Sequence, residues 1–228
     1  MTGATGGFDG GNMLGNIMIF GDSYSTYKDY IPKGYAHYYY PDEVPEGDEA
    51  VKRMCLDETW WRRLIRKTGA NLVRNDSWSG STICYTGYEG DCSTTNSFIY
   101  RYRKLRDEGF FKENKIDTLF VFGGTNDSWG PAELGERKLE NQSEEDLKYV
   151  LPAISHLMFT LKAELSDTRI IFIANCDIDE EIVSLMNDEG ERLNIEVVEL
   201  HGVDKISGHP TVLGMSEICE QILYAIGE

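Results

Sequence analysis

Two stretches constrain this chain more than any other: DTLFVF at 117–122 and TRIIFIA at 168–174. Each is a nearly unbroken run of β-formers about one strand long. Neither shows the in–out alternation of a sheet with one wet face, so both predict strands covered on both sides. Three shorter runs fit the same role: NIMIF at 16–20, NLVRN at 71–75 and IEVVEL at 195–200. Helical patterns lie between them. Residues 57–68 open with an acidic cap and stop before Gly69, and residues 98–107 form a short amphipathic segment. SEED at 143–146 has the form of a capping box before a helix running to about 165, and 178–193 and 211–226 supply two more. Strand alternating with helix predicts an α/β protein, a three-layer α/β/α sandwich around a five-stranded parallel sheet.

The 228 residues suffice for one domain with a full core. The start, MTGATGGFDGGN, has no basic end followed by an apolar stretch and is not read as a signal peptide. Residues 1–13 are expected to be a disordered leader, and 14–228 a single domain. Cytoplasm is then the default location, with secretion open if the leader replaces a native signal. A formal net charge of −17 argues against nucleic acid and anionic membrane as partners. The apolar runs are far too short to span a bilayer. The five cysteines, at 55, 84, 92, 176 and 219, contain no C-x-x-C pair, which removes zinc-ribbon and thioredoxin-like readings. Cys84 and Cys92 flank a Gly-rich stretch and could either form a bridge or remain buried thiols.

Three connections, 27–56, 85–97 and 128–142, are too long to be simple links. Each follows the carboxyl end of a predicted strand, so they should gather over one edge of the sheet. The first contains GYAHYYYP, too aromatic for a disordered tract, and reads as a wall or lid. Four short segments converge on the same edge: GDSYS at 21–25, NDSWSGST at 75–82, GGTND at 123–127 and SGHPT at 207–211. They follow predicted strands one, two, three and five and supply a Ser, a Gly, an Asn and a His. Open α/β sheets bind ligands at this edge. The four blocks, in this order, resemble those of the SGNH hydrolase superfamily, the GDSL esterases and lipases. The resemblance covers about residues 16–226 outside the three long connections and implies a flavodoxin-like topology.

Ester cleavage needs a nucleophile, a base and fixed donors for the developing oxyanion. A serine hydroxyl attacks at neutral pH only if an imidazole takes its proton. The resemblance implies Ser23 as nucleophile and His209 as base. It assigns the oxyanion hole to the backbone N–H groups of Ser23 and Gly80 and the side-chain amide of Asn126. His209 precedes Pro210 at a helix start, where the helix dipole disfavours a charged imidazolium. His201 is a competing base, but it lacks the following Pro-Thr. The chain departs from the family at the acid. The position three before the histidine, commonly Asp, is Ile206, and the nearest carboxylate is Asp204. Either Asp204 curls back to Nδ1 of His209, or a backbone carbonyl orients the ring and leaves a Ser–His dyad; Asp177 and Asp179 are more distant candidates.

Substrate contacts are expected from Asp22, Tyr24, Trp78, Trp129 and His37, with Trp60 and Trp61 in the core and His156 in packing or at the surface. The expected activity is that of a serine esterase working through an acyl-enzyme without metal or cofactor. A site walled by Tyr and Trp leans toward short acyl groups on a carbohydrate. A lysophospholipase or thioesterase, and a non-catalytic carbohydrate-binding protein on the same fold, are the alternatives.

Overall fold

The computed structural model describes residues 14–42 and 47–227, so the expected leader lies outside the described residues. Five parallel strands form the sheet: β1 (Asn16–Gly21), β2 (Asn71–Ser77), β3 (Thr118–Phe122), β4 (Arg169–Ala174) and β5 (Glu196–Glu199). Their spatial order is β2-β1-β3-β4-β5, the flavodoxin-like order. Besides a short helical turn at Phe110–Glu113, the described residues form the helices α1 (Trp60–Thr68), α2 (Phe98–Asp107), α3 (Thr125–Trp129), α4 (Val150–Glu164), α5 (Glu180–Leu193) and α6 (Val212–Ile226).

Residues two apart in a strand share a face, and this periodicity sorts the core into two slabs. Ile17, Ile19, Phe120, Phe122, Ile171 and Ile173 pack under Trp60, Trp61 and Leu64 of α1 and Ile218 and Ile222 of α6. Met18, Phe20, Leu119, Val121 and Phe172 face Phe98 and Tyr102 of α2, Leu157 of α4 and Leu185 of α5. The predicted three-layer sandwich is therefore the observed one. The chain leaves β1 toward β2 on one side and later crosses to β3 on the other. Open sheets of this kind bind ligands at the carboxyl ends of the strands where such connections diverge, here β1 and β3.

Three local departures have physical causes. β2 runs two residues past the apolar stretch, because its buried polar end is satisfied: Ser77 Oγ donates to Asn75 Oδ1 at 2.6 Å, and Asn75 Nδ2 to Ser25 O at 2.8 Å. Thr59 is extended, so the helix predicted from 57 splits into a 3-10 turn, Leu56–Glu58, and α1. The Ser143–Asp146 box forms, with Asp146 N–H donating to Ser143 Oγ and Ser143 N–H to Asp146 Oδ2. It closes only a 3-10 turn, since Tyr149 is extended. The first N–H groups of α4 then donate to the Glu133 and Leu134 carbonyls of the 128–142 connection.

All five cysteines are free thiols, which decides between the two readings of Cys84 and Cys92. Cys92 Sγ donates to the Cys84 carbonyl, and burial pushes both thiols upward in pKa. No helix among the described residues is long and apolar enough to cross a membrane. Thiol titration of the unreduced, denatured chain should count five thiols, and dithiothreitol should leave Tm unchanged. A count of three with a reductant-sensitive Tm would establish a bridge.

Candidate active site

The turn after β1 is built for a side chain at its apex. A Cβ on Gly21 would lie 2.7 Å from both Ser25 Oγ and Ser77 Oγ, so only glycine fits there. Asp22 then caps a single 3-10 turn, Ser23–Ser25, with Oδ1 accepting from Tyr24 N–H at 3.0 Å. Ser23 Oγ ends 3.1 Å from Nε2 of His209.

His209 stands on a two-residue hairpin in which Ile206 pairs with His209 and Lys205 with Pro210. Its turn residues, Ser207 and Gly208, have φ of 48° and 79°. Both are positive, as a type I′ turn demands. The turn presents the Ser207 carbonyl to His209 Nδ1 at 3.3 Å. The hairpin is pinned from several sides. Tyr24 OH donates to the Gly208 carbonyl and Tyr39 OH to the Pro210 carbonyl at 3.0 Å. The Trp129 ring lies against Gly208, while its Nε1 donates to the Asp177 carbonyl.

The hairpin register also shows where the expected acid goes. Asp204 lies one step beyond the Lys205–Pro210 pair, opposite Thr211, and its carboxylate accepts from the Thr211 hydroxyl. Its carbonyl accepts from Thr211 N–H and its N–H donates to Glu217. Asp204 is thus not brought to His209, because a two-residue turn leaves no slack for it to curl back. The residue directly across from His209 is Ile206. Asp177 accepts from Lys205 Nζ at 3.2 Å, Asp179 caps α5, and His201 is exposed beside Glu199.

Gly80 takes φ of 80°, a left-handed conformation that favours glycine. Among the described residues, neither Gly80 N–H nor Ser23 N–H donates a hydrogen bond. Asn126, in the first turn of α3, donates Nδ2 to the Ser81 carbonyl at 2.9 Å and accepts at Oδ1 from Tyr88 OH at 3.3 Å. Together these two bonds fix the orientation of its amide.

The expected substrate contacts fare unequally. Asp22 and Tyr24 are fully buried beneath the turn, so their roles are structural and a substrate would not touch them. His37 is exposed and packs edge-on against Tyr40. Trp78 stacks on Tyr35 with ring centres 4.1 Å apart, and half-exposed Trp129 lies 6.5 Å from the His209 ring.

The model of the GDSL-like lipase/acylhydrolase family matches residues 15–226. The chain belongs to that family. Two solved GDSL-like lipases resemble it closely. The protein from Bacteroides ovatus ATCC 8483 is 35% identical, with a TM-score of 0.83 over 94% of this chain and 98% of that one. The protein from Bacteroides uniformis ATCC 8492 is 37% identical, with a TM-score of 0.82 over 94% and 96%. A family two carbohydrate esterase from Clostridium thermocellum, in complex with cellohexaose, shares the fold at 15% identity and a TM-score of 0.62, over 94% of this chain and 64% of that one. No curated protein matches the chain. Membership in the GDSL-like family makes this an SGNH-type serine hydrolase acting on ester bonds.

Sequence reasoning missed several residues of this GDSL-like site. Arg101, fully buried on α2, donates to the Asp76 carboxylate at 2.9 Å, the Gly21 carbonyl at 3.1 Å and Ser81 Oγ at 3.2 Å. Asp127 accepts from the N–H groups of Ile83 and Cys84 and so holds the loop after Gly80. Tyr38 lies flat on the His209 ring, with centres 3.7 Å apart and planes 5° apart. One signal was available: Arg101 falls on the apolar face of α2, between Phe98 and Leu105, where a charge needs a partner.

Burial lowers the pKa of His209 and so favours the neutral imidazole; the Ser207 carbonyl opposes this, while Lys52 and Lys205 add to it. Burial pushes Asp22 up to about 7, against the Tyr24 N–H bond that favours its charged form. Among the described residues its Oδ2 lacks a geometrically formed hydrogen bond.

Two outcomes follow from these buried charges. Arg101→Met should cost about 3–5 kcal/mol in urea unfolding, because Asp76 is left buried with a charge that Arg74 alone must balance; a cost under about 1 kcal/mol would contradict the role given to Arg101. For Asp22, a raised folded-state pKa means that its contribution to stability is present below the ordinary 3.8 and lost as pH rises to about 7. The Tm of the wild type should therefore fall relative to Asp22→Asn across that window. A difference that does not change with pH would show that Asp22 titrates normally.

Proposed function

We propose that Ser23 and His209 act as a dyad that cleaves short acyl esters, acetyl esters of a carbohydrate above all, within one catalytic unit. The 3.1 Å contact between Ser23 Oγ and His209 Nε2 carries this reading. The tautomer follows from the hairpin. Nδ1–H donates to the Ser207 carbonyl, which leaves the Nε2 lone pair facing the serine hydroxyl. Ser23 attacks the ester carbonyl as its proton passes to Nε2. The oxyanion is met by the N–H groups of Ser23 and Gly80 and by Nδ2 of Asn126, donors set before the reaction begins. Collapse expels the alcohol, protonated by His209. Water, deprotonated by the same imidazole, then releases the acid from Ser23.

Aromatic surface supports the substrate class. The Trp78–Tyr35 pair, Trp129 and Tyr88 surround the loops that bear the oxyanion donors, and aromatic faces pack well on sugar rings. The shared fold with a carbohydrate esterase that binds cellohexaose is consistent with this.

Ser23→Ala should abolish hydrolysis of p-nitrophenyl acetate in a chain that still unfolds cooperatively, whereas Asp204→Asn should change kcat by less than about threefold. The acetate should exceed the octanoate in kcat/KM by more than about tenfold, and acetylated xylan should release acetate. Residual Ser23→Ala activity within tenfold of wild type would remove Ser23 as nucleophile. A preference for octanoate would favour a lipid or thioester substrate, and a hundredfold loss in Asp204→Asn would restore a triad.

A further inference from the structure

In a serine triad, a carboxylate stabilises the imidazolium that forms when the serine loses its proton. Here that help is missing among the described residues. Ile206 stands across from His209, Asp204 bonds to Thr211, and the charged groups that act on the ring are the cations Lys52 and Lys205. Burial and both cations oppose the charged form that the dyad must pass through, and the Ser207 carbonyl is its one polar support among these.

We propose that Tyr38 takes over the carboxylate's task, as a positioning residue whose ring face holds His209 in line and stabilises its charged form. The proposal rests on the dyad reading above. A tyrosine ring carries negative charge on its faces, and a cation lying on one is attracted, more strongly where water is excluded. Tyr38 is parallel to the imidazole within 5°, at 3.7 Å between centres, so the whole imidazolium would lie on that face. The stack also resists rotation of the imidazole about its bond to Cβ, which would carry Nε2 away from Ser23.

Tyr38 is itself tied to the nucleophile's turn. Its N–H donates to Thr26 Oγ1 at 2.8 Å, and the Thr26 hydroxyl donates to the Ser23 carbonyl at 2.9 Å. Tyr39 beside it packs edge-on and anchors the Pro210 carbonyl. Ser23, Tyr38 and His209 are thus registered to one another through the 27–56 connection. Lys52 Nζ lies over the same Tyr38 ring, 5.3 Å from its centre, and competes for its π charge. Lys205 is held by Asn175, the Cys176 carbonyl and Asp177, so its charge is partly answered elsewhere.

The test varies the ring's charge without its shape. Tyr38 is replaced by phenylalanine, by progressively fluorinated phenylalanines, and by leucine in the full chain. Hydrolysis of p-nitrophenyl acetate and the NMR titration of His209 are followed for each. Tyr38→Phe should retain kcat within about threefold. Fluorination should lower kcat stepwise, to about a tenth, at nearly constant KM, and move the His209 midpoint to lower pH at each step. Tyr38→Leu should lose a similar factor in kcat. Equal kcat for the Phe and Leu variants, or a His209 midpoint that ignores fluorination, would overturn the proposal. If Tyr38→Leu fails to fold, the fluorinated series still decides, since its rings keep the native shape. The titration needs no turnover. Failure of the dyad reading, seen as Ser23→Ala activity, is therefore distinguishable from failure of this one.

Discussion

A single buried guanidinium ties the reactive edge of this protein together. Arg101 lies between the rings of Phe20 and Phe98 and bonds to Asp76, Gly21, Ser81 and the carbonyl of Asn96. Those partners belong to the end of β1, the end of β2, the loop bearing Gly80 and the connection before α2. Burying such a charge is costly, and an apolar core of equal volume is often as stable. A planar group with five fixed donors does what hydrophobic packing does not: it sets the relative positions of several backbone segments at once. Ser23 and Gly80 come from two of those segments. Their N–H groups can serve one oxyanion only if the segments keep their spacing.

The frame was legible because it depends on local pattern. Five apolar runs and five helical periods map onto β1–β5 and onto α1, α2, α4, α5 and α6, since a strand covered on both faces leaves an unmistakable trace in the sequence. Element ends were less legible. Thr59 and Tyr149 adopt extended backbone for tertiary reasons, as the long connections claim the N–H groups and space that a continuous helix would have used.

The site divides along the same line. Ser23, Gly80, Asn126 and His209 stood out because each lies in a short block whose position after a strand is itself readable, and the fold brings Ser23 and His209 within 3.1 Å. Asp204 was misplaced because the hairpin's register, a single turn residue more or less, decides which side chain faces the histidine. Asp22 and Tyr24 flank Ser23 in sequence and were read as substrate contacts; in the fold they are fully buried. Tyr38 was hidden for the opposite reason. It sits among four tyrosines within six residues, and nothing local tells which ring the fold lays on the imidazole.

The turn at Ser207 and Gly208 has a consequence for how this site can change over time. A carboxylate partner of histidine is lost by any of many single codon changes, and it titrates. A main-chain carbonyl does neither. Where a main-chain carbonyl orients the imidazole, that task places no demand on the side chains at 204 and 206. The constraint moves instead to backbone handedness at 207 and 208, where both residues must accept positive φ and few side chains do. Variation among relatives that use the same arrangement should accordingly be wide where an acid would have stood and narrow at the two residues that make the bend.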